Sequence, residues 1–392
     1  MKKYLAFLFL LGITYCNSQT LENYNTVLSQ LKEYTNVIEL STNNGKSRLI
    51  ITPELQGRII TSTYNGLLGD ANGWFNKNSI TSKRKGGIGG EDRLWIGPLG
   101  SQFSFYYQQL KPLSETNWLV PSTMENDAYQ LTKQTSTEVS MRKKMMLTNH
   151  IGTDFILDIS RTITILDAAE ITKNLKILVP NSLKHIAYES ASSLQNIGEE
   201  KITKEKGLVS LWSAGMFNGT TESIVIIPLI KKGHLEDLYT YMGPLGRDRL
   251  QIENNVVLYK ADGKYRSKIG VPPHLAPSIY GCYSVKKERL TIVQYKRTKD
   301  SLYFNSNTSV QKNPYKGEVI PIYNNGNMDY SPTTIPSFFE LESTSAMREL
   351  EVNDTLSHYH RVYHFSGNKK ELDAITKKLL GVSLMDVTLS NN

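Results

Sequence analysis

The chain has 392 residues, with 45 lysines and arginines against 37 aspartates and glutamates, and a formal net charge of +8 at pH 7. Acidic residues separate the small basic groups, so this modest charge fits a solvated surface and also leaves attraction to an acidic polymer open. No pattern of a nucleic-acid-binding module occurs, and we expect no nucleic-acid partner.

The amino terminus has the pattern of a secretory signal peptide, which we assign to residues 1–19. Two lysines precede an apolar run at 4–13, and small and polar residues follow it. The run is too short to span a membrane. An alternative is a lipoprotein with its lipid anchor at Cys16. In both cases we expect a periplasmic protein without a membrane span.

The remaining chain, 20–392, is predicted to form a single domain, because no low-complexity linker divides it. If Cys16 is removed or lipidated, Cys282 is the one cysteine left. An intrachain disulfide is then impossible, so packing alone has to stabilise the fold. The sequence does not predict an oligomeric state.

In chain order, the first predicted element is a short amphipathic helix within 21–40. Apolar and polar residues then alternate around an Asn-Asn-Gly turn at 43–45, which predicts a β-hairpin. Many short strands with polar turns follow, and a second helix is predicted at 369–380. The further predicted strands are 155–166, 172–179, 209–212, 223–230, 255–259, 291–295, 337–343 and 358–365. The fold class is therefore mainly β, a sandwich or barrel, without the strand–helix alternation of a doubly wound fold.

Glycines punctuate residues 85–107 and predict a loop that carries Glu91, Asp92, Arg93 and Trp95 and leads into an aromatic strand. Sugar rings are bound by this combination of side chains, because their C–H faces pack on an aromatic plane and charged groups bond their hydroxyls. The alternative is structural: an internal ion pair for the arginine, and a core position for the tryptophan.

A second group of candidate residues lies at 336–350. In strand geometry, Glu340 and Glu342 project from one face, and two carboxylates there are costly unless they meet solvent, a cation or a substrate. Sites that act on sugars use such carboxylates as acid, base or hydroxyl acceptor. The alternative is an edge strand whose glutamates face solvent.

The third group is the strand 358–365, where His358, His360 and His364 share one face. Two histidines two residues apart can ligate a metal when a further ligand is available. No partner at a suitable spacing occurs, so we expect neither a metal nor a cofactor. Histidines that pack beside the glutamates, or that are purely structural, remain open.

Together these segments resemble galactose-mutarotase-like (aldose-epimerase-like) proteins. The opening "IELSTNNGKSRLIITPELQGRIITSTYNG" and the closing "FFELESTSAMRELEVNDTLSHYHRVYHF" are similar to the first and last strands of that fold. The middle segments "GGEDRLWIGPLGSQFSFYY", "YESASSLQNIG", "LWSAGMFN" and "ADGKYRSKIG" resemble an uncharacterised family of exported bacterial proteins with this fold.

The resemblance implies a β-supersandwich with short terminal helices and a sugar site in an open cleft. Glu342 corresponds to the catalytic base. His185 is the mid-chain histidine nearest to the position of the acid, although it lies in no recognisable epimerase motif. The resemblance and the composition of the loop at 85–107 together imply six substrate-binding residues: Glu91, Asp92, Arg93, Trp95, Glu340 and His360.

The expected function is that of an exported carbohydrate-active protein, a mutarotase or epimerase-like isomerase for sugars released from polysaccharide. One alternative is a lyase or hydrolase of acidic polysaccharide, in which Arg93, Tyr106 and the final His-Tyr strand would act. Another is a non-catalytic carbohydrate-binding accessory of a polysaccharide-utilisation system. The sequence does not identify the sugar.

Overall fold

The computed structural model describes residues 22–81, 87–125, 127–333 and 337–389. The predicted signal peptide and Cys16 lie outside the described residues. Across those four ranges, no helix is both long enough and apolar enough to cross a membrane. The helices are α1 (Tyr24–Lys32), α2 (Lys77–Thr81), α3 (Ser122–Glu125), α4 (Ala168–Leu175) and α5 (Lys369–Leu380).

The fold is mainly β, which confirms the predicted class. The strands are β1 (Ile38–Thr42), β2 (Ser47–Thr52), β3 (Arg58–Thr63), β4 (Arg93–Gly97), β5 (Gln130–Gln134), β6 (Glu138–Thr148), β7 (Asp154–Leu166), β8 (Lys184–Asn196), β9 (Ser210–Asn218), β10 (Ser223–Pro228), β11 (Tyr239–Thr240), β12 (Leu250–Glu253), β13 (Val256–Lys260), β14 (Ser267–Val271), β15 (Ile279–Ser284), β16 (Arg289–Tyr295), β17 (Ile320–Asn324), β18 (Phe338–Thr344) and β19 (Thr355–Ser366).

These strands form two large antiparallel sheets and one small one. A 10-stranded sheet has the order β12-β13-β10-β15-β16-β19-β8-β7-β6-β5, and a 6-stranded sheet has the order β11-β14-β17-β18-β9-β4. The small sheet, β1-β2-β3, is the predicted hairpin extended by one strand. Asn43, Asn44 and Gly45 all have positive φ in its turn, a conformation that asparagine and glycine tolerate best.

The main core lies between the two large sheets, because alternate residues of each strand point inward and are apolar. Leu94, Leu211 and Leu341 contribute from the 6-stranded sheet, and Ile159 and Val362 from the 10-stranded one. The opposite face of the 6-stranded sheet is therefore left for other side chains, and it carries the candidate site.

Helices cover the outer face of the 10-stranded sheet. The predicted strand at 172–179 is wrong, because residues 172–175 belong to α4. The helix begins at a capping box in which Asp167 and Glu170 bond each other's backbone N–H. Ile171 and Leu175, four residues apart, then pack into the outer apolar cluster together with α5. The predicted C-terminal helix is confirmed.

The glycine-rich segment also differs from its prediction. Arg93 and Trp95 belong to β4, a fully buried edge strand of the 6-stranded sheet, and not to a loop. The predicted aromatic strand at 103–107 is absent, because this segment forms turns and only Tyr107 makes a bridge, to Trp118. The aromatic side chains are buried there without a strand partner.

Candidate functional site

Strand register brings Arg93 and Glu342 to the same row of the 6-stranded sheet. Ala214 of β9 pairs with Arg93 on one side and with Glu342 on the other. Directly paired residues project from the same face of a sheet. Arg93, Ala214 and Glu342 therefore share one face of the sheet, although Ala214 and Glu342 are completely buried there.

A cavity of about 570 Å³ lies on this face. This volume is within the range of small-molecule sites. Strands β4, β9, β14, β17 and β18 form its floor, and the loops near residues 118, 242 and 306 form its rim. The lining residues are Arg93, Trp95, Leu99, Tyr107, Glu115, Trp118, Trp212, Tyr241, Met242, Arg266, Lys268, Ser306, Thr308, Tyr323, Met328 and Glu340.

Three tryptophans form one wall of the cavity. The rings of Trp95 and Trp212 meet edge to face with centroids 5.2 Å apart, and Trp118 lies 6.3 Å from Trp95. Trp95 and Trp212 are buried, whereas Trp118 is 39% exposed. The wall therefore combines two buried indoles with one outer indole that stacks on Tyr106 and is partly exposed.

Arg93 and Glu340 form a buried ion pair at the cavity. Arg93 Nη2 donates to Glu340 Oε1 at 3.1 Å, and both side chains are less than a tenth exposed. The guanidinium carbon lies 4.0 Å from the Trp95 ring centroid, a cation–π contact. These contacts fix the orientation of the guanidinium, which a hydrogen-bonding site requires.

Glu342 lies beneath the cavity floor and is fully buried. Its Oε2 accepts a hydrogen bond of 2.6 Å from Trp212 Nε1, and Lys268 Nζ lies 3.4 Å from both carboxylate oxygens. Burial raises the pKa of Glu342 to about 7, although the Lys268 charge opposes this; the nearby Glu340 raises it further. A carboxyl with this pKa can take up or release a proton near neutral pH.

Glu318 is a second buried carboxyl, beside the cavity, and no sequence pattern distinguishes it from other glutamates. It accepts hydrogen bonds from Ser306 Oγ and Tyr241 Oη, which both line the cavity. Burial raises the pKa of Glu318, while those two hydrogen bonds and Lys268 lower it. Lys268 thus stands between two carboxyls that both hold protons more strongly than usual.

Comparison with known proteins assigns the chain to a family. A family model described as a family of unknown function, DUF6786, matches residues 22–391. The chain belongs to this family. No curated protein matches the DUF6786 chain.

The fold of the DUF6786 chain is similar to that of solved structures, one of which is provisionally named an aldose 1-epimerase. The Slr1438 protein of Synechocystis sp. PCC 6803 matches with a TM-score of 0.51 and 8% identity, over 85% of this chain and 96% of its own. An Escherichia coli K12 protein provisionally named aldose 1-epimerase matches with a TM-score of 0.50 and 8% identity, over 84% and 98%. At this identity the similarity shows the fold alone.

Four of the predicted site residues of the DUF6786 chain are brought together by the sandwich. Arg93, Trp95 and Glu340 line the cavity, and Glu342 lies directly beneath it through its contacts with Trp212 and Lys268. The predicted acid and the other predicted substrate ligands lie elsewhere.

Glu91 and Asp92 are buried on the core side. Glu91 accepts hydrogen bonds from the backbone and side chain of Ser62, and its Oε2 lies 3.1 Å from His364 Nε2. Asp92 is paired with Arg161 at 2.9 Å, and neither side chain is exposed at all. These contacts are those of structural residues, and neither carboxylate lines the cavity, which corrects their predicted role as substrate ligands.

The three histidines share one face of β19, as predicted, but that face points into the core. His358 Nε2 and His360 Nδ1 each lie 2.8 Å from Ser343 Oγ. Ser343 points to the opposite side of β18 from Glu342, because successive residues of a strand alternate. Burial lowers the pKa of His360 to about 4, so the imidazole is neutral at pH 7. The sheet separates His360 from the cavity, which corrects its predicted binding role.

His185 is not brought to Glu342. It pairs with Phe365 on the outer face of the 10-stranded sheet and lines a different cavity beside Lys46 and Asp167. Its prediction as the acid partner therefore has no geometric support. Tyr106, considered for a lyase, is also buried and bonds the Ile96 carbonyl oxygen at 2.9 Å.

The cationic residues Lys268 and Arg266 were missed by the sequence analysis. They stand two residues apart at β14, a spacing that places them on one face, but nothing in the sequence says that this strand joins β18 through β17.

In the described part of the chain, no group of three or more His, Cys, Asp or Glu side chains could hold a metal ion.

The raised pKa of Glu342 has a consequence for stability. Between the ordinary value of 4.5 and about 7, the folded chain holds this proton more strongly than the unfolded chain does, so this stabilisation is lost as pH rises through the window. Glutamine cannot ionise. Only the wild type therefore loses this stabilisation as the pH rises. The free energy of unfolding of Glu342→Gln, measured relative to that of the wild type, should increase by about 1–3 kcal/mol between about pH 5 and pH 8.

Urea unfolding of both proteins at several pH values measures this difference. Glu253→Gln, an exposed glutamate of β12, is the matched control and should track the wild type at every pH. A constant difference between Glu342→Gln and wild type across the range would show that the carboxyl titrates normally.

Proposed function

We propose that this chain is an exported carbohydrate-active enzyme that exchanges the anomers of a sugar, as an aldose 1-epimerase does. The observation that carries the proposal is the buried carboxyl of Glu342, with a pKa near 7, in contact with Lys268 at the floor of a tryptophan-lined cavity. The galactose mutarotase-like fold and the pattern of residues 1–19 support it.

Anomer exchange needs one group that removes the proton of the anomeric hydroxyl and another that protonates the ring oxygen. In our proposal Glu342 accepts the hydroxyl proton, and the Lys268 ammonium donates to the ring oxygen as the C1–O5 bond breaks. Rotation about C1–C2 presents the other carbonyl face. The reverse proton transfers then close the ring and restore both side chains.

The other cavity residues would bind and orient the sugar. The tryptophan wall offers apolar faces to the C–H groups of the ring, and Arg93, held by Glu340, donates hydrogen bonds to hydroxyls. Because Trp212 holds one oxygen of Glu342, the second oxygen would be the one that receives the proton.

Saturation-transfer NMR of anomer exchange tests the proposal directly. Glucose, galactose and their uronic acids are incubated with and without the purified chain, and the exchange rate between α and β signals is measured. We expect at least one sugar to equilibrate faster in proportion to protein concentration. If none does, while binding is detectable, the enzymatic proposal is wrong.

A non-catalytic carbohydrate-binding protein is the second candidate, and one observation favours it. Glu342 has no exposed surface, and no histidine lines the cavity as the described residues form it. Calorimetric titration separates the two functions: heat of binding without anomer exchange identifies a binding protein.

Both functions predict that the exposed indole of Trp118 contributes to sugar binding. We expect Trp118→Ala to weaken binding about 2- to 10-fold, the usual worth of a stacking aromatic. The free energy of unfolding should fall as well, because the indole packs on Tyr106 and Tyr107 with ring centroids 5.4 Å apart, so affinity is measured on variant protein that is shown to be folded. Leu119→Ala, at an exposed neighbour, is the control for calorimetry. Equal affinities in the two variants would remove Trp118 from the site.

A further inference from the structure

Three cationic side chains in the described ranges line the cavity, Arg93, Arg266 and Lys268, and they differ in how completely a neighbouring carboxylate neutralises their charge. The charge of Arg93 is neutralised by a buried ion-pair partner, Glu340, at 3.1 Å. Arg266 and Lys268 stand together on the opposite wall, and both line the cavity. The distances and the solvent exposure of their ion pairs decide whether this wall can attract an anion.

The partner of Arg266 is weak. Glu115 Oε1 lies 2.7 Å from Arg266 Nη2, but Glu115 is 79% exposed and Arg266 is 36% exposed. Ion pairs between such exposed side chains contribute only about 0–1 kcal/mol, because water and salt screen them. A ligand anion can therefore displace or share this partner at little cost.

Lys268 is also incompletely satisfied. Among the described residues, its three N–H donors have the two Glu342 oxygens as hydrogen-bond acceptors, each at the long distance of 3.4 Å. The ammonium also makes a cation–π contact with Trp212, whose ring centroid lies 5.1 Å from Nζ. The second neighbouring carboxyl, Glu318, gives its oxygens to Ser306 and Tyr241. The ammonium thus has a donor left for a group in the cavity, and its side chain is only 7% exposed to competing water.

We infer that the sugar bound in this cavity carries an anionic substituent, a carboxylate or a sulfate ester, which lies against Arg266 and Lys268. The guanidinium of Arg266 would bond two oxygens of the anion, and Lys268 would supply charge beside it. This inference rests on the proposed sugar site and names its substrate class, but it requires no catalysis.

Calorimetric titration with matched monosaccharides tests the inference. Galacturonate and galactose 6-sulfate are compared with galactose, and glucuronate with glucose, for the wild-type chain. We expect at least one anionic sugar to bind tenfold or more tightly than its neutral counterpart. Which of the two anions is preferred identifies the natural substituent.

The variant Arg266→Gln should remove most of this preference, so that the anionic sugar binds this variant only about as tightly as its neutral counterpart does. Arg247→Gln, at an exposed arginine outside the cavity, is the matched control and should bind as the wild type does. Equal binding of neutral and anionic sugars, or an unchanged preference in Arg266→Gln, would overturn the inference.

The same titrations on Glu342→Gln keep the two proposals apart. If this variant binds anionic sugars but exchanges no anomers, both hold. If the wild type binds anionic sugars and exchanges nothing, the enzymatic proposal fails and the substrate class stands.

Discussion

Replacement of Glu342 by glutamine is expected to slow anomer exchange by about 10²–10⁴-fold, the usual contribution of a positioned acid–base group. Glutamine has nearly the same size, and its side-chain oxygen can still accept the 2.6 Å hydrogen bond from Trp212. It cannot accept a proton from the anomeric hydroxyl. The loss should therefore appear in the turnover rate more than in sugar affinity.

Saturation-transfer NMR at a fixed sugar concentration measures this effect, with calorimetry as the parallel measurement of affinity. Glu253→Gln serves again as the control, since that residue is exposed on an edge strand of the other sheet. Wild-type turnover in Glu342→Gln would remove Glu342 from the mechanism. Lost binding together with lost turnover would instead indicate a damaged site.

The variant Asp92→Asn is expected to lower the free energy of unfolding by about 3–5 kcal/mol. Asp92 Oδ2 lies 2.9 Å from Arg161 Nη2, and both side chains are completely buried. Without the carboxylate, the guanidinium remains as an uncompensated charge in the core. Burial, and to a lesser degree the Arg93 and Arg161 charges, lower the pKa of Arg58 to about 10, so a further cation lies near this ion pair.

Chemical denaturation measures this loss, and Asp354→Asn provides the matched control. Asp354 pairs with Arg348 at 3.2 Å, with both side chains about half exposed, so its loss should cost at most about 1 kcal/mol. The double variant Asp92→Leu/Arg161→Met should recover much of the stability because both charges are gone. Equal losses in Asp92→Asn and Asp354→Asn would contradict a structural ion pair.

Several elements of this chain could be predicted from local sequence alone. The Asn-Asn-Gly hairpin, the C-terminal helix and the shared face of Glu340 and Glu342 follow from backbone preferences and from the two-residue period of a strand. Helix α4 is not predicted from apolar spacing, because its apolar residues also fit a strand. The local signal that identifies this helix is the capping box at its first turn, which begins at Asp167.

Which residues meet at the site could not be predicted from any single segment of the sequence, because it depends on how distant strands pair. Alternation placed Glu342 and Ser343 on opposite faces of β18, but only sheet pairing decides which face meets the core. Arg93 and Glu342 are 249 positions apart in sequence and become neighbours because Ala214 pairs with both. Asp92, one residue before Arg93, points the other way and pairs with Arg161 instead.

The sequence by itself determined that this chain is mainly β and that two glutamates share one face of a late strand. The tertiary structure decided which charges meet. The histidines of β19 and the carboxylates of Glu91 and Asp92 face the core, and Lys268 lies next to Glu342. Local pattern fixes the side on which a residue projects, whereas the order and register of distant strands fix its partners.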